Sequence, residues 1–251
     1  MENEFYTKTA NIVAFVQTTI IKLFNMSVLA KGLLLIVLLS LTQNVTAQQQ
    51  YPRGIYISFE EIQNRQPSLP DSANVKKRSG FDISMNGGND YKIISLDNAI
   101  NKILKRKAWA YSDGDTLYIN CRQYKAQKWY AKVLSYGDYL LFDAGMSKLT
   151  KKENGAAAAG VMFGAIGGAM AGAAMAQMRF PYAIEVKTNT LHLITLDFID
   201  KVMQSKGAVA YATFQNEKKG VEMLRAERQK EIATETLINK YIPLINATIT
   251  E

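Results

Sequence analysis

Between Gly155 and Met178 the chain carries 24 residues without a charge, and Gly160, Gly164, Gly168 and Gly172 recur in it at every fourth position. On a helix that spacing lines the glycines along one face, where a second helix can approach to near backbone contact. The stretch holds ten Ala, six Gly and four Met, and only Val161, Phe163, Ile166 and the methionines are strongly apolar. A straight helix of this length measures about 36 Å, against about 30 Å for a bilayer's hydrocarbon core, but its hydrophobicity is marginal for insertion. Lys148, Lys151 and Lys152 before it and Arg179 after it place the charge the wrong way round for a single crossing by an exported chain. Adjacent Gly167 and Gly168 favour a bend instead. The two halves, about 18 Å of helix each, are then too short to span. The expectation is an Ala/Gly-rich helical insert with both ends on one side. It would pack its halves together, embed shallowly in a membrane, or be covered by a second copy of the chain.

The N-terminus bears on where that insert works. Lys31, the apolar run Gly32–Leu41 and the small residues Val45-Thr46-Ala47 read as a secretory signal peptide cleaved after Ala47. Gln48 rather than Cys follows the cleavage position. Residues 1–47 are therefore an N-terminal extension plus signal peptide, with Met26 favoured as the true start. Residues 48–251 read as one domain, interrupted at 155–178. The expected location is the periplasm or cell envelope. Cys121 is the sole cysteine, so no intramolecular disulfide can form and the domain must rely on its core.

Within residues 48–251, Ser58-Phe59-Glu60-Glu61 fits a capping box opening a helix that stops before Pro67. Pro67–Gly80 reads as a loop. Phe81–Met85 and Tyr91–Ile94 read as a hairpin around Asn86–Asn89. Leu96, Ile100, Ile103 and Leu104 have helical spacing, and the cluster Lys105-Arg106-Lys107 at the end of that helix complements its dipole without any ligand. Asp113-Gly114 between Trp109–Tyr111 and Thr116–Cys121 is the strongest hairpin signal in the chain. Trp129–Tyr136 with Tyr139–Phe142, and Tyr182–Val186 with Leu191–Thr195, give further strand pairs. Phe198, Ile199, Val202 and Met203 mark a helix, Val209–Phe214 a last strand, and the segment from Asn216 to near Pro243 a C-terminal helix. The fold class expected is α+β: an antiparallel, hairpin-rich domain with short helices, the Ala/Gly-rich insert and a C-terminal helix.

The segments Gly54–Glu61, Asp115–Asn120 and Tyr241–Asn246, with a Gly/Ala-rich insert before Arg179-Phe180-Pro181-Tyr182, resemble a family of exported Bacteroidota proteins of unknown function. The resemblance covers most of residues 48–251, and its motifs are short and structural. It implies export and a shared fold, not a reaction.

The residue inventory supports little catalysis. His192 is the only histidine and alternates with apolar neighbours in Leu191–Ile194, which places it on a solvated or edge position. One His and one Cys cannot by themselves make a zinc site. Asp113 and Asp115 lack the further ligands of a calcium loop and read as turn residues. The glycine stretch has no following Lys-Ser or Lys-Thr and is no phosphate loop. The net charge of +8 is spread along the chain. No cofactor, metal ligand set or nucleic-acid site is expected. The leading expectation is a non-enzymatic envelope protein contacting a membrane or its own copy through Gly160, Gly164, Gly168 and Gly172. The alternative is a soluble module whose aromatic strands bind a glycan or peptide.

Overall fold

The computed structural model describes residues 51–70, 73–146 and 177–248. The cleavage position Ala47 and the glycines Gly160, Gly164, Gly168 and Gly172 lie outside them. All that follows concerns the compact unit within residues 49–251.

The described residues form an α+β domain on one antiparallel sheet. Its main path runs β1 (Gly54–Tyr56), β4 (Ala110–Ser112), β5 (Leu117–Asn120), β6 (Tyr130–Ser135), β7 (Tyr139–Ala144), β8 (Phe180–Glu185) and β9 (Thr190–Leu193). Two further strands, β2 (Asn74–Lys77) and β3 (Tyr91–Ile94), pair with each other, and β3 touches β6 through the single pair Tyr91↔Tyr130. The helices are α1 (Phe59–Asn64), α2 (Gly80–Asn86), α3 (Asn98–Arg106), α4 (Leu196–Gln204), α5 (Ala208–Glu222) and α6 (Glu227–Tyr241).

Strand alternation splits the core between two faces. Tyr56, Leu117, Ile119, Val133, Leu140, Phe142, Tyr182 and Ile184 point to one face, where α1 adds Phe59 and Ile62. Their neighbours point the other way. Ile55, Tyr111, Tyr118 and Tyr130 meet Leu104 of α3, while Leu141 and Ala183 meet Phe198, Ile199, Phe214, Leu237 and Tyr241 of the last three helices.

The local signals act as their chemistry demands. Ser58 Oγ accepts from Glu61 N at 3.2 Å, and the Glu61 carboxylate reaches back to Ile57 N at 2.7 Å, one residue beyond the usual box partner. Arg65 ends α1 in the left-handed region. Asp113 Oδ1 accepts from Asp115 N and Thr116 N and so closes the β4–β5 turn over Gly114, whose φ is +100°.

Four expectations are corrected. Phe81–Met85 is helical. Ser79 caps α2 by accepting from Asp82 N at 3.1 Å, and Asp82 accepts from Asn86 Nδ2 at 2.7 Å one turn on. Of the three alternating apolar residues only Ile83 is buried, while Phe81 and Met85 are 77% and 69% exposed. The strand partner of Tyr91–Ile94 is instead β2, inside the segment read as a loop. As an edge strand with exposed Lys76 and Lys77, β2 shows no apolar alternation to detect. Val209–Phe214 is the start of α5, because Ala208, Ala210 and Ala212 favour helix and Phe214 and Val221 bury two turns apart. The single C-terminal helix is two, α5 and α6, broken at Met223–Ala226.

Strands β7 and β8 pair directly through Ala144↔Phe180. The chain therefore leaves the sheet and re-enters it at one place. No helix among the described residues is long and apolar enough to cross a membrane.

Candidate functional site

The sheet splits at one point. Extending the pair Tyr91↔Tyr130 antiparallel would set Lys92 opposite Trp129 and Ile93 opposite Lys128. The ladder stops because the chain before β6 folds back. Lys125, Gln127 and Trp129 all have positive φ, at 54°, 67° and 74°, and Lys128 O faces Asn89 N at 2.8 Å rather than Ile93. A tryptophan in this region stores about 1–3 kcal/mol of strain, which the surrounding contacts must hold. The gap between β3, α3 and this loop is a cleft of about 390 Å³.

Ile93, Leu104 and Trp129 supply apolar wall, and Ile94 stands half-exposed at the margin. The neutral polar groups are committed to the scaffold. Asn101 exchanges hydrogen bonds with the backbone of Ser95, at 2.9 Å to its Oδ1 and 2.7 Å from its Nδ2. Asn120 Nδ2 donates to Ala108 O at 2.8 Å and Leu104 O at 3.2 Å, and Tyr130 Oη donates to Leu104 O at 2.6 Å. The remaining lining groups are Lys105, Arg122 and Lys128. All three are exposed, and among the described residues none forms an ion pair and no carboxylate lines the cleft.

Behind this cleft lies a buried polar frame. Asn89, fully buried, donates from Nδ2 to Ala126 O at 2.7 Å and Lys128 O at 3.1 Å, and its Oδ1 accepts from Gly145 N at 2.7 Å. One side chain thus ties the cleft loop to the point where β7 leaves the sheet. Arg78 donates to Gly87 O, Asn89 O and Asp82, with its guanidinium 5.9 Å from the Trp129 ring centre. Lys92 Nζ sits 4.8 Å from the same centre and pairs with Asp82 at 3.2 Å. Arg179 donates to Asp90 Oδ1 at 2.6 Å and 2.9 Å and to Gly88 O at 3.1 Å, which pins the start of β8 to the same turn.

Hydrogen bonds from Arg78 and then Asn86 hold the Asp82 carboxyl well below its ordinary value of 3.8. With the folded pKa depressed, the stability Asp82 adds is complete above the unfolded pKa and is lost as pH falls toward the folded one. Asp82→Asn is therefore expected to lower the urea midpoint at pH 7, with the deficit shrinking steadily below about pH 4. An equal deficit at pH 7 and pH 2.5 would contradict this.

The residues singled out in the sequence fall elsewhere. Cys121 is sealed in the core beside Ile119, and burial pushes its thiol far up, away from nucleophilic use. His192 lies on β9 against the Phe198 ring, at 5.2 Å between centres and 3.9 Å from Glu185. Asp113 serves its hairpin. Among the described residues no three His, Cys, Asp or Glu side chains are grouped to hold a metal. Of the basic cluster at the end of α3, Lys105 lines the cleft and Arg106 and Lys107 do not. The cleft itself escaped sequence reading, because Arg122, Lys128 and Trp129 carry no motif. The signal available was the basic-aromatic run itself, between two strands and without turn glycines.

Neither the curated proteins nor the solved structures hold a match to this chain. A family model does match, over residues 54–229, a span that contains the whole cleft and its buried frame. On that match the chain belongs to DUF6563, a family of unknown function.

Proposed function

We propose that the chain is a non-enzymatic, exported protein of the cell envelope whose folded domain binds a glycan or peptide in the cleft between α3 and the Arg122–Trp129 loop. One observation carries the reading. Three cations line an acid-free cleft with no counter-charge among the described residues, while the neutral polar groups beside them are already hydrogen-bonded. Such a site offers attraction without a proton-exchanging carboxylate, imidazole or thiol in its lining, and this favours binding over turnover. Export rests on the signal-like residues before Gln48.

A second element, residues 155–178, attaches the domain to a membrane or to another copy through the four-residue glycine repeat. The pairing Ala144↔Phe180 favours this same-side arrangement. So does the exposed face of α2, with Phe81 and Met85 on it, since Gln177 Nε2 reaches Gly80 O at 3.4 Å.

The two roles separate in one variant. Deleting residues 155–178 should move the protein from the envelope pellet to the buffer fraction. Binding should survive, read as a shift of the Trp129 indole N–H signal on titration with a panel of defined oligosaccharides and tripeptides. A panel that never moves the Trp129 signal, in the full chain or the deletion, would sink the cleft reading. A deletion variant that still pellets would sink the attachment reading.

A further inference from the structure

We infer that the ligand of this cleft is an acidic sugar, held by a carboxylate between Lys105, Arg122 and Lys128 with its ring against the apolar wall. The inference rests on the reading of the cleft as the ligand site and adds the chemistry that site selects. The electrostatics come first. Ion pairs elsewhere in the described residues join half-buried Lys92 to Asp82, Arg179 to Asp90 and Lys218 to Asp200, and exposed Lys240 to Glu217. Exposed cations such as Lys76, Lys102 and Lys132 form none, so what distinguishes the cleft is the gathering of three cations around one opening. The three around the cleft have no such partner among the described residues, and they come from two segments: the end of α3 supplies Lys105, and the loop between β5 and β6 supplies Arg122 and Lys128. Their meeting at one cleft is a product of the fold, not of a local run of charge. An oxyanion entering there gains charge-assisted hydrogen bonds with no carboxylate in the lining to repel it.

The shape argues for the rest of the ligand. At about 390 Å³ the cleft lies at the small end of ligand sites. It suits one or two rings, not a docked helix. The C–H face of a pyranose finds Ile93, Ile94 and the side of Trp129 to pack on. Trp129 is also held in place before any ligand arrives. Lys92 and Arg78 lie over its ring, and Asn89 fixes the carbonyls on the loop that leads to it. A wall already ordered costs little further entropy on binding.

The test uses residues 48–251. The chain has only two tryptophans, so the amide correlation spectrum shows two indole signals, and Trp129→Phe assigns them. Tetragalacturonate should move the Trp129 signal and leave Trp109 in place. Maltotetraose and hexaglutamate at the same concentration should leave both. Lys105→Gln, Arg122→Gln and Lys128→Gln are surface changes that spare the core. Each should weaken tetragalacturonate binding about tenfold, the size expected for one charge-assisted hydrogen bond. Raising the salt should weaken it further. Five outcomes overturn the inference. Equal binding of maltotetraose, still shifting Trp129, removes the anionic requirement and leaves the cleft as the site. Equal binding of hexaglutamate removes the sugar requirement. Tetragalacturonate binding that leaves Trp129 unmoved, or persists undiminished in the triple Gln variant, places the anion elsewhere and takes the cleft reading with it. No binding of tetragalacturonate rejects the acidic sugar outright.

Discussion

Replacing Asn89 by alanine is expected to cost the domain about 3 kcal/mol, because two buried backbone groups lose their partners at once. The side chain is fully buried, and its amide makes three hydrogen bonds, to Ala126 O, Lys128 O and from Gly145 N. Lys128 O keeps the Asn89 backbone N–H as a partner. Among the interactions described, Ala126 O and Gly145 N–H have no substitute. For a domain of this size the loss corresponds to a fall in Tm of about 6–12 °C, measurable by circular dichroism. Asn89→Asp should fall at least as far, since it turns a carboxylate toward two carbonyl oxygens that need a donor. A drop below about 2 °C in either variant would mean that Asn89 is not the clamp its hydrogen bonds describe. The damage should also have an address. The cleft loop and the exit of β7 share this one residue, so hydrogen exchange should accelerate at Lys128–Tyr130 and at Gly145 together, ahead of the α4–α6 face.

Asn89 shows why part of this molecule was legible in the sequence and part was not. The sequence marks Asn86–Asn89 as the turn of a hairpin, whereas Asn86 ends α2 and residues 87–90 link that helix to β3. That Asn89 is buried and bonds to a loop nearly forty residues away depends on tertiary structure, for which local chemistry carries no sign. The contrast with Asp113 is instructive: its partners Asp115 and Thr116 are neighbours in sequence, and the hairpin it closes was readable from Asp-Gly alone. The strands from Ala110 to Leu193 emerged well for the same reason, since each pairs with the next one in the chain. The β2–β3 pair did not. Between its strands lies α2, and β2 carries Lys76 and Lys77 where an apolar alternation would have betrayed it. Phe81 and Met85 then misled by alternating across a helix that leaves both exposed. The cleft depends on that unread pairing, because β3 must part from β6 for the gap to exist. Lys105, Arg122 and Lys128 converge only in the fold, so a sequence-level account of Lys105 as a dipole partner was reasonable and incomplete.

Gly88→Ala tests whether the strained loop is held by contact with the turn beneath it. Gly88 has φ of +90°, which costs an L-residue about 1–2 kcal/mol on its own. A Cβ built there would lie 2.6 Å from Trp129 Cδ1, and 3.1 Å from both Lys128 O and Arg78 Nη1. Trp129 cannot swing aside freely, since Lys92 and Arg78 flank its ring and its own backbone bonds Cys121 N. The substitution is therefore expected to destabilise by about 3 kcal/mol, with conformational strain and steric overlap contributing comparable shares. A double-mutant cycle separates them. In a Trp129→Ala background the closest contact is gone while the φ penalty remains, so Gly88→Ala should there cost about 1–2 kcal/mol less than in the native chain. The coupling is read from urea midpoints of the four proteins. If the cost is the same in both backgrounds, Gly88 is required only for its backbone conformation, and Trp129 keeps its positive φ without support from the turn.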